Sequence, residues 1–145
     1  MNACKNQYVM KKILVIIVFL TCYAGTCEKN PFARNVYSIW IENKTDKAIT
    51  FLVSKKYPDT LLPVQGYSLA GVAPNSKTPY DFQESTWAAV FDNLPADTLS
   101  IFIFRGDTIA AYSWPEIRSG YKILKRYDLS RQDIERMNYV ISYPQ

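Results

Sequence analysis

Apolar and polar positions alternate with a period of two along much of this chain. In Val36–Glu42 (VYSIWIE), Tyr37, Ile39 and Ile41 share one face, while Ser38, Trp40 and Glu42 share the other. That is the pattern of a half-buried strand. Asn43-Lys44-Thr45-Asp46 has turn chemistry, and Ala48–Ser54 (AITFLVS) reads as a second strand, so an antiparallel hairpin is expected. Pro58, Pro63, Pro74 and Pro79 break the stretch from Tyr57 to Pro79 into loops. Short strands are predicted at Ser68–Val72 and Thr78–Phe82, joined through Pro74-Asn75-Ser76. Leu99–Phe104 (LSIFIF) is apolar on both faces, as a central strand buried on two sides would be. Arg105-Gly106-Asp107 reads as a turn into Thr108–Tyr112, and further strands are predicted at Tyr121–Tyr127 and Tyr139–Tyr143.

Helical spacing is rarer. Trp87, Val90, Phe91 and Leu94 follow i, i+3, i+4, i+7, with Glu84-Ser85 placed to cap the start and Pro95 to end it. Ser113 and Glu116 form a capping-box pair for a short helix that Gly120 closes. Ser130 with Asp133 opens another helix, running through Met137. The expected fold is mainly β (α+β): an antiparallel β-sandwich-like sheet of about seven strands with two or three short helices. Residues 36–145 form a single globular domain in this reading, behind a tether at 28–35.

The first 27 residues follow a different pattern. Lys11 and Lys12 precede eight unbroken apolar residues, Ile13–Leu20, and small or mixed residues lead on to Cys27. Basic start, apolar core and small-residue exit are the three parts of a secretory signal. A spanning helix needs about 20 apolar residues, more than this run supplies. Met10 stands directly before the lysines, so Met1 and Met10 are both candidate starts.

All three cysteines (Cys4, Cys22, Cys27) lie at or before position 27, which excludes a disulfide framework in the folded domain. A cysteine closing a signal peptide resembles a bacterial lipoprotein, in which the thiol is acylated and becomes the new N-terminus. Cys27, behind Ala24 and Gly25, fits that role better than Cys22, which would shorten the apolar core and put Phe19 three residues ahead. The alternative is an ordinary cleaved signal with an incidental cysteine.

Composition narrows the chemistry. The 145 residues carry 17 basic and 13 acidic side chains, a formal net charge of +4, and no His. Lys5, Lys11 and Lys12 precede Cys27 whereas every acid follows it, so the mature chain is nearly neutral, with 14 basic residues against 13 acidic. The apparent basicity belongs to the leader and implies no acidic partner. Without His there is no imidazole base and no Ser-His or Cys-His pair. Without His or mature Cys, only a hard oxygen site for a metal is conceivable, and no EF-hand-like run occurs, so neither metal nor cofactor is expected.

Several segments resemble a family of small, uncharacterised lipoproteins of gut Bacteroidetes. They are Asp97–Phe104 (DTLSIFIF), Tyr121–Ser130 (YKILKRYDLS) and Met137–Pro144 (MNYVISYP), and the resemblance runs over about Tyr37–Pro144. It implies a lipid-anchored protein of the cell envelope, at the outer membrane with the face left open, and it carries no activity or catalytic residue. Asp59-Thr60-Leu61, Asp97-Thr98-Leu99 and Asp107-Thr108-Ile109 are similar to the O-glycosylation acceptor of exported Bacteroidetes proteins, which marks Thr60, Thr98 and Thr108. Exposure favours Thr60, in the proline-rich loop.

Two chemistries remain to be weighed. A small glycan hydrolase would need two facing carboxyls, for which Asp81, Glu84, Asp92, Asp97, Asp107 and Glu116 are available. Each also has an ordinary place at a turn or helix end. Aromatic side chains bind sugars and proteins alike. Trp87 shares a helix face with Val90 and Phe91 and is expected in the core, whereas Trp40, opposite Ile39 and Ile41, is the candidate ligand platform. Arg118, Lys122, Lys125 and Arg126 form a basic stretch without a nucleic-acid motif, and no nucleic-acid partner is expected. The best-supported expectation is a non-enzymatic, lipid-anchored module that binds a protein or glycan. A structural or assembly accessory of an envelope complex is the alternative, with the hydrolase behind it.

The lipid anchor has a direct test. Palmitate labelling of the protein in its native host is expected to vanish in Cys27→Ala, and labelling that persists would refute the assignment.

Overall fold

The alternation becomes seven strands divided between two sheets. The computed structural model describes residues 37–59, 61–64, 68–84 and 86–144, so Cys27, the expected anchor, the expected tether at 28–35 and Thr60 lie outside the described residues. In chain order the strands are β1 (Tyr37–Asn43), β2 (Ile49–Ser54), β3 (Leu69–Val72), β4 (Ser76–Phe82), β5 (Thr98–Arg105), β6 (Lys125–Ser130) and β7 (Val140–Tyr143). One sheet has the order β4-β1-β7 and the other β3-β2-β5-β6. All pairings are antiparallel except β1 with β7. Four short helices connect them: α1 (Trp87–Asp92), α2 (Gly106–Ala111), α3 (Trp114–Ser119) and α4 (Arg131–Arg136). A single 3-10 turn follows α1 at Pro95–Asp97. The fold is thus a mainly-β, sandwich-like α+β architecture.

The expected hairpin of β1 with β2 does not form. β1 pairs with β4, β2 pairs with β3, and the chain changes sheets between β1 and β2 and again between β3 and β4. The four strands make one long two-stranded ribbon, β1-β2 against β3-β4, bent at a corner so that its halves belong to different sheets. The corner needs a device to satisfy its backbone, and Asn43 supplies it. Asn43 continues the inward parity of Ile39 and Ile41 and is fully buried. Its Nδ2 donates to the carbonyls of Lys47 (2.8 Å), Ala73 (3.1 Å) and Val72 (3.3 Å), one in the first bend and two in the second. Its Oδ1 accepts from the Thr45 amide and hydroxyl. One side chain therefore ties both bends together.

The inner faces of both sheets enclose one core, which includes Ile39, Ile41 and Ile141 from the first sheet and Phe51, Leu99, Ile101 and Ile103 from the second. Val90 and Phe91 of α1 and Ile134 of α4 join it. Trp87 packs against its edge, stacked on Tyr139 at 4.8 Å and edge-on to Tyr37 and Phe82 at 5.6 Å each. The opposite face of the second sheet carries a second cluster of Leu52, Leu62, Phe102, Phe104 and Ile117. β5 is therefore buried on both sides, as its composition requires. Each buried Phe or Leu here contributes about 1.5–3 kcal/mol of transfer free energy. The proline-rich loop is drawn onto this second cluster through Leu62, with Trp114 Nε1 donating to the Pro63 carbonyl (2.8 Å) and Arg118 Nε to that of Leu62 (2.7 Å).

Two local readings need correction. The turn expected at Arg105–Asp107 is the start of α2, and Thr108–Ala111 is helical. Gly106 permits a close approach there: its amide donates to the Ala48 carbonyl at 3.0 Å, and an added Cβ would lie 3.1 Å from that oxygen. The strand expected at Tyr121–Tyr127 begins later, at Lys125, because residues 121–124 complete the turn that closes α3, with Lys122 donating to Ile117. The caps at Ser113–Glu116 and Ser130–Asp133 form as the sequence requires, whereas α1 is capped by Thr86 in place of Glu84-Ser85.

The corner should be sensitive. Asn43→Ala removes every side-chain bond across the corner, including the buried one to the Val72 carbonyl and the one to the Thr45 amide. The Lys47 and Ala73 carbonyls keep the Thr45 and Ser76 hydroxyls, so the expected loss is about 1–3 kcal/mol. Urea unfolding checks this, with exposed Asn93→Ala as the control expected to cost less than about 1 kcal/mol. Equal midpoints for the two variants would contradict the role given to Asn43.

Candidate functional site

The period-two alternation that sends Ile39 and Ile41 inward sends Ser38, Trp40 and Glu42 outward from the first sheet. Because β1 is that sheet's central strand, its outward residues acquire neighbours on both sides. In register, Trp40 lies between Pro79 of β4 and Val140 of β7, and Glu42 lies between Lys77 and Ser142. Ser38 faces Asp81 and donates to it at 2.6 Å. The result is a flat surface with a half-buried indole at its centre and polar pairs at each end.

The backbone explains why proline is tolerated here. The Trp40 amide donates to the Tyr139 carbonyl (2.8 Å), so Trp40 turns its backbone towards β7. Pro79, directly opposite, consequently points its own nitrogen away from β1, where no ladder bond is lost. β4 is an edge strand, and the missing N–H at its middle discourages addition of a further strand.

Electrostatics are concentrated at the corner end of this face. The Ser142 hydroxyl donates to Glu42, and Lys44 Nζ lies 3.6 Å from the same carboxylate. The Ser142 bond first, and then the charge of Lys44, holds the Glu42 carboxyl below its usual range. Lys77 extends over the Trp40 ring, its Nζ 5.1 Å from the centroid, a cation–π contact. Glu42, Lys44, Asn75, Ser76 and Lys77, with Asn43 behind them, line an open concavity of about 350 Å³ beside the indole. Asn75 reaches it by adopting a left-handed conformation (φ 50°), which Asn tolerates better than most residues.

The carboxylates weighed for hydrolysis lie apart from this face, except Asp81. Glu84 binds Lys55 at 2.8 Å, Asp107 binds Arg105 through both oxygens, and Glu116 caps α3. Asp92 and Asp97 do share a cleft, of about 510 Å³, with Ser130, Arg131 and Glu135. Glu135 is committed to Arg131 at 2.7 Å. Glu42, Glu84, Asp107, Glu116 and Asp133 are all pushed down, in each case first by a side-chain hydrogen bond that favours the ionised form. A glycosidase acid needs the opposite shift. Among the described residues, no three His, Cys, Asp or Glu side chains converge as metal ligands. No helix in those residues is long and apolar enough to cross a membrane.

Of the threonines, Thr98 is half-buried with its hydroxyl donating to the Ala96 carbonyl at 2.7 Å, and Thr108 is half-buried within α2. Neither adjoins Trp40 in the sheet. The basic stretch does not form a patch: Arg126 pairs with Asp128, Arg118 binds the Leu62 carbonyl, and Lys122 lies over the Tyr112 ring at 4.4 Å. Sequence reading singled out Trp40 but not Lys77, Pro79, Val140 and Ser142, which the sheet register places around it. The alternation of Lys77, Pro79 and Asp81 against Thr78, Tyr80 and Phe82 was a usable signal for one of these strands.

A scan against protein-family models finds no match to this chain, and searches of curated proteins and of solved structures find none either.

Proposed function

We propose that this chain is a lipid-anchored protein of the cell envelope, held at the outer membrane through Cys27, and that its domain is a non-enzymatic binding module. The partner, a glycan or a protein, docks on the outer face of the β4-β1-β7 sheet. The observation that carries this reading is the position of Trp40, a large aromatic at the centre of a sheet face whose neighbours Lys77, Pro79 and Asp81 are exposed. The sandwich core is complete without it. An indole ringed by hydroxyls, carboxylates and an ammonium combines apolar stacking with directional hydrogen bonds, the pairing that sugar recognition requires and that polar protein interfaces share. Glycan is the partner this chemistry favours. The engagement of Glu84 by Lys55, of Asp107 by Arg105 and of Glu116 by the start of α3 favours binding over hydrolysis.

Trp40→Ala tests the reading. The side chain is half-exposed and outside the core, so the variant is expected to remain folded, with a cooperative thermal transition. Its retention on envelope glycans, or its co-purification with an envelope protein, is expected to fall at least about tenfold, the loss of a central aromatic anchor. Unchanged retention in a folded variant would refute the proposed face.

A further inference from the structure

The charges around Trp40 point to the class of ligand, and this inference rests on the binding role proposed above. Four charged side chains stand on or beside the outer face: Asp81, Glu42, Lys44 and Lys77. Asp81 is engaged by Ser38, and it lies four residues along β4 from Lys77, about 13 Å away. Glu42 is engaged by Ser142 and Lys44. Lys77 differs: it faces Glu42 across the sheet and its charge acts on that carboxylate from a distance, but among the described residues it has no carboxylate within 4 Å, and its ammonium rests on the indole. The concavity beside it is lined by two lysines and one acid, together with Asn75 and Ser76.

We infer that the ligand is a saccharide bearing a carboxylate, of the uronic acid class, whose ring stacks on Trp40 while its carboxylate is held by Lys77 at the mouth of the corner concavity. The position of Lys77 makes the distinction. A neutral sugar that stacks on the indole displaces the ammonium from its cation–π contact and offers it no anion. An acidic sugar displaces it into a charge-assisted hydrogen bond, the stronger of the two interactions. Lysine suits that exchange, because its four-carbon stem swings the charge aside without moving the backbone. Asn75 and Ser76 lie where they can bond the hydroxyls of the same sugar, and Lys44 adds a second positive charge. Glu42 stays anionic, so the two lysines leave the concavity with a net positive charge of one.

The test is calorimetric titration of the full-length protein in detergent with two probes, an oligogalacturonate and a neutral cello-oligosaccharide of equal length. The acidic probe is expected to bind at least about tenfold more tightly. That preference should disappear in Lys77→Gln, persist in Lys77→Arg, and shrink as salt rises from about 0.05 to about 0.5 M. Equal affinity for the two probes, or a preference indifferent to Lys77→Gln, overturns the inference. If only the neutral probe binds, and Trp40→Ala abolishes it, the acidic ligand is refuted while the binding face stands. If neither probe binds but Trp40→Ala releases a co-purifying protein, the inference is again refuted and the partner is a protein. If neither probe binds and Trp40→Ala changes nothing, both the inference and the binding face fall.

Discussion

The fold depends on a corner that one amide closes. A two-stranded ribbon that bends from one sheet into another interrupts its hydrogen-bond ladder at the bend, and the backbone groups beside the bend, the buried Val72 carbonyl among them, need other partners. Unpaired, each such group costs about 1–3 kcal/mol, a large fraction of a domain's net stability. Asn43 donates to three of them and accepts twice from Thr45. Asp in its place would set lone pairs against three carbonyls, and Ala would leave the two bends joined by no side chain at this position. Asn has the size, the two donors and the acceptor that this site requires.

The corner also makes the outer face available. Had β1 and β2 formed the local hairpin that their sequences allow, Trp40 would stand in the same sheet as the buried β5. Splitting the ribbon places β1 at the centre of a separate three-stranded sheet. The inward residues of that sheet complete the shared core, and α1, α4 and the second sheet cover them. The second sheet uses both faces for packing, because α2, α3 and the loop carrying Leu62 cover its far side. The proposed binding face is therefore the first sheet's outer surface, and the same corner forms the concavity at its end.

Local features were legible because local physics sets them. The period of two in VYSIWIE fixed which side chains of β1 face the core, the doubly apolar LSIFIF marked β5, and Ser-x-x-Glu and Ser-x-x-Asp fixed two helix starts. Pairing was not legible. Asn43-Lys44-Thr45-Asp46 reads equally well as a hairpin turn and as a corner, and the difference lies in Val72 and Ala73, nearly 30 residues on. Inward parity did place Asn43 with Ile39 and Ile41, but a polar residue beside a turn reads as loop unless the distant carbonyls it serves are known. The site was half legible for the same reason: alternation exposes Trp40, while its neighbours Lys77, Pro79, Val140 and Ser142 arrive from strands that only the fold brings alongside.

The central claim is that one sheet face is set aside for a partner while the rest of the domain packs on itself. Hydroxyl-radical footprinting of the protein in intact envelopes, compared with the purified protein, tests it whatever the partner proves to be. The account predicts envelope-dependent protection at Trp40, Pro79 and Val140, with Leu61, Val64 and Tyr112 equally reactive in both states. Protection of those three exposed apolar residues, with Trp40 unchanged, would contradict it.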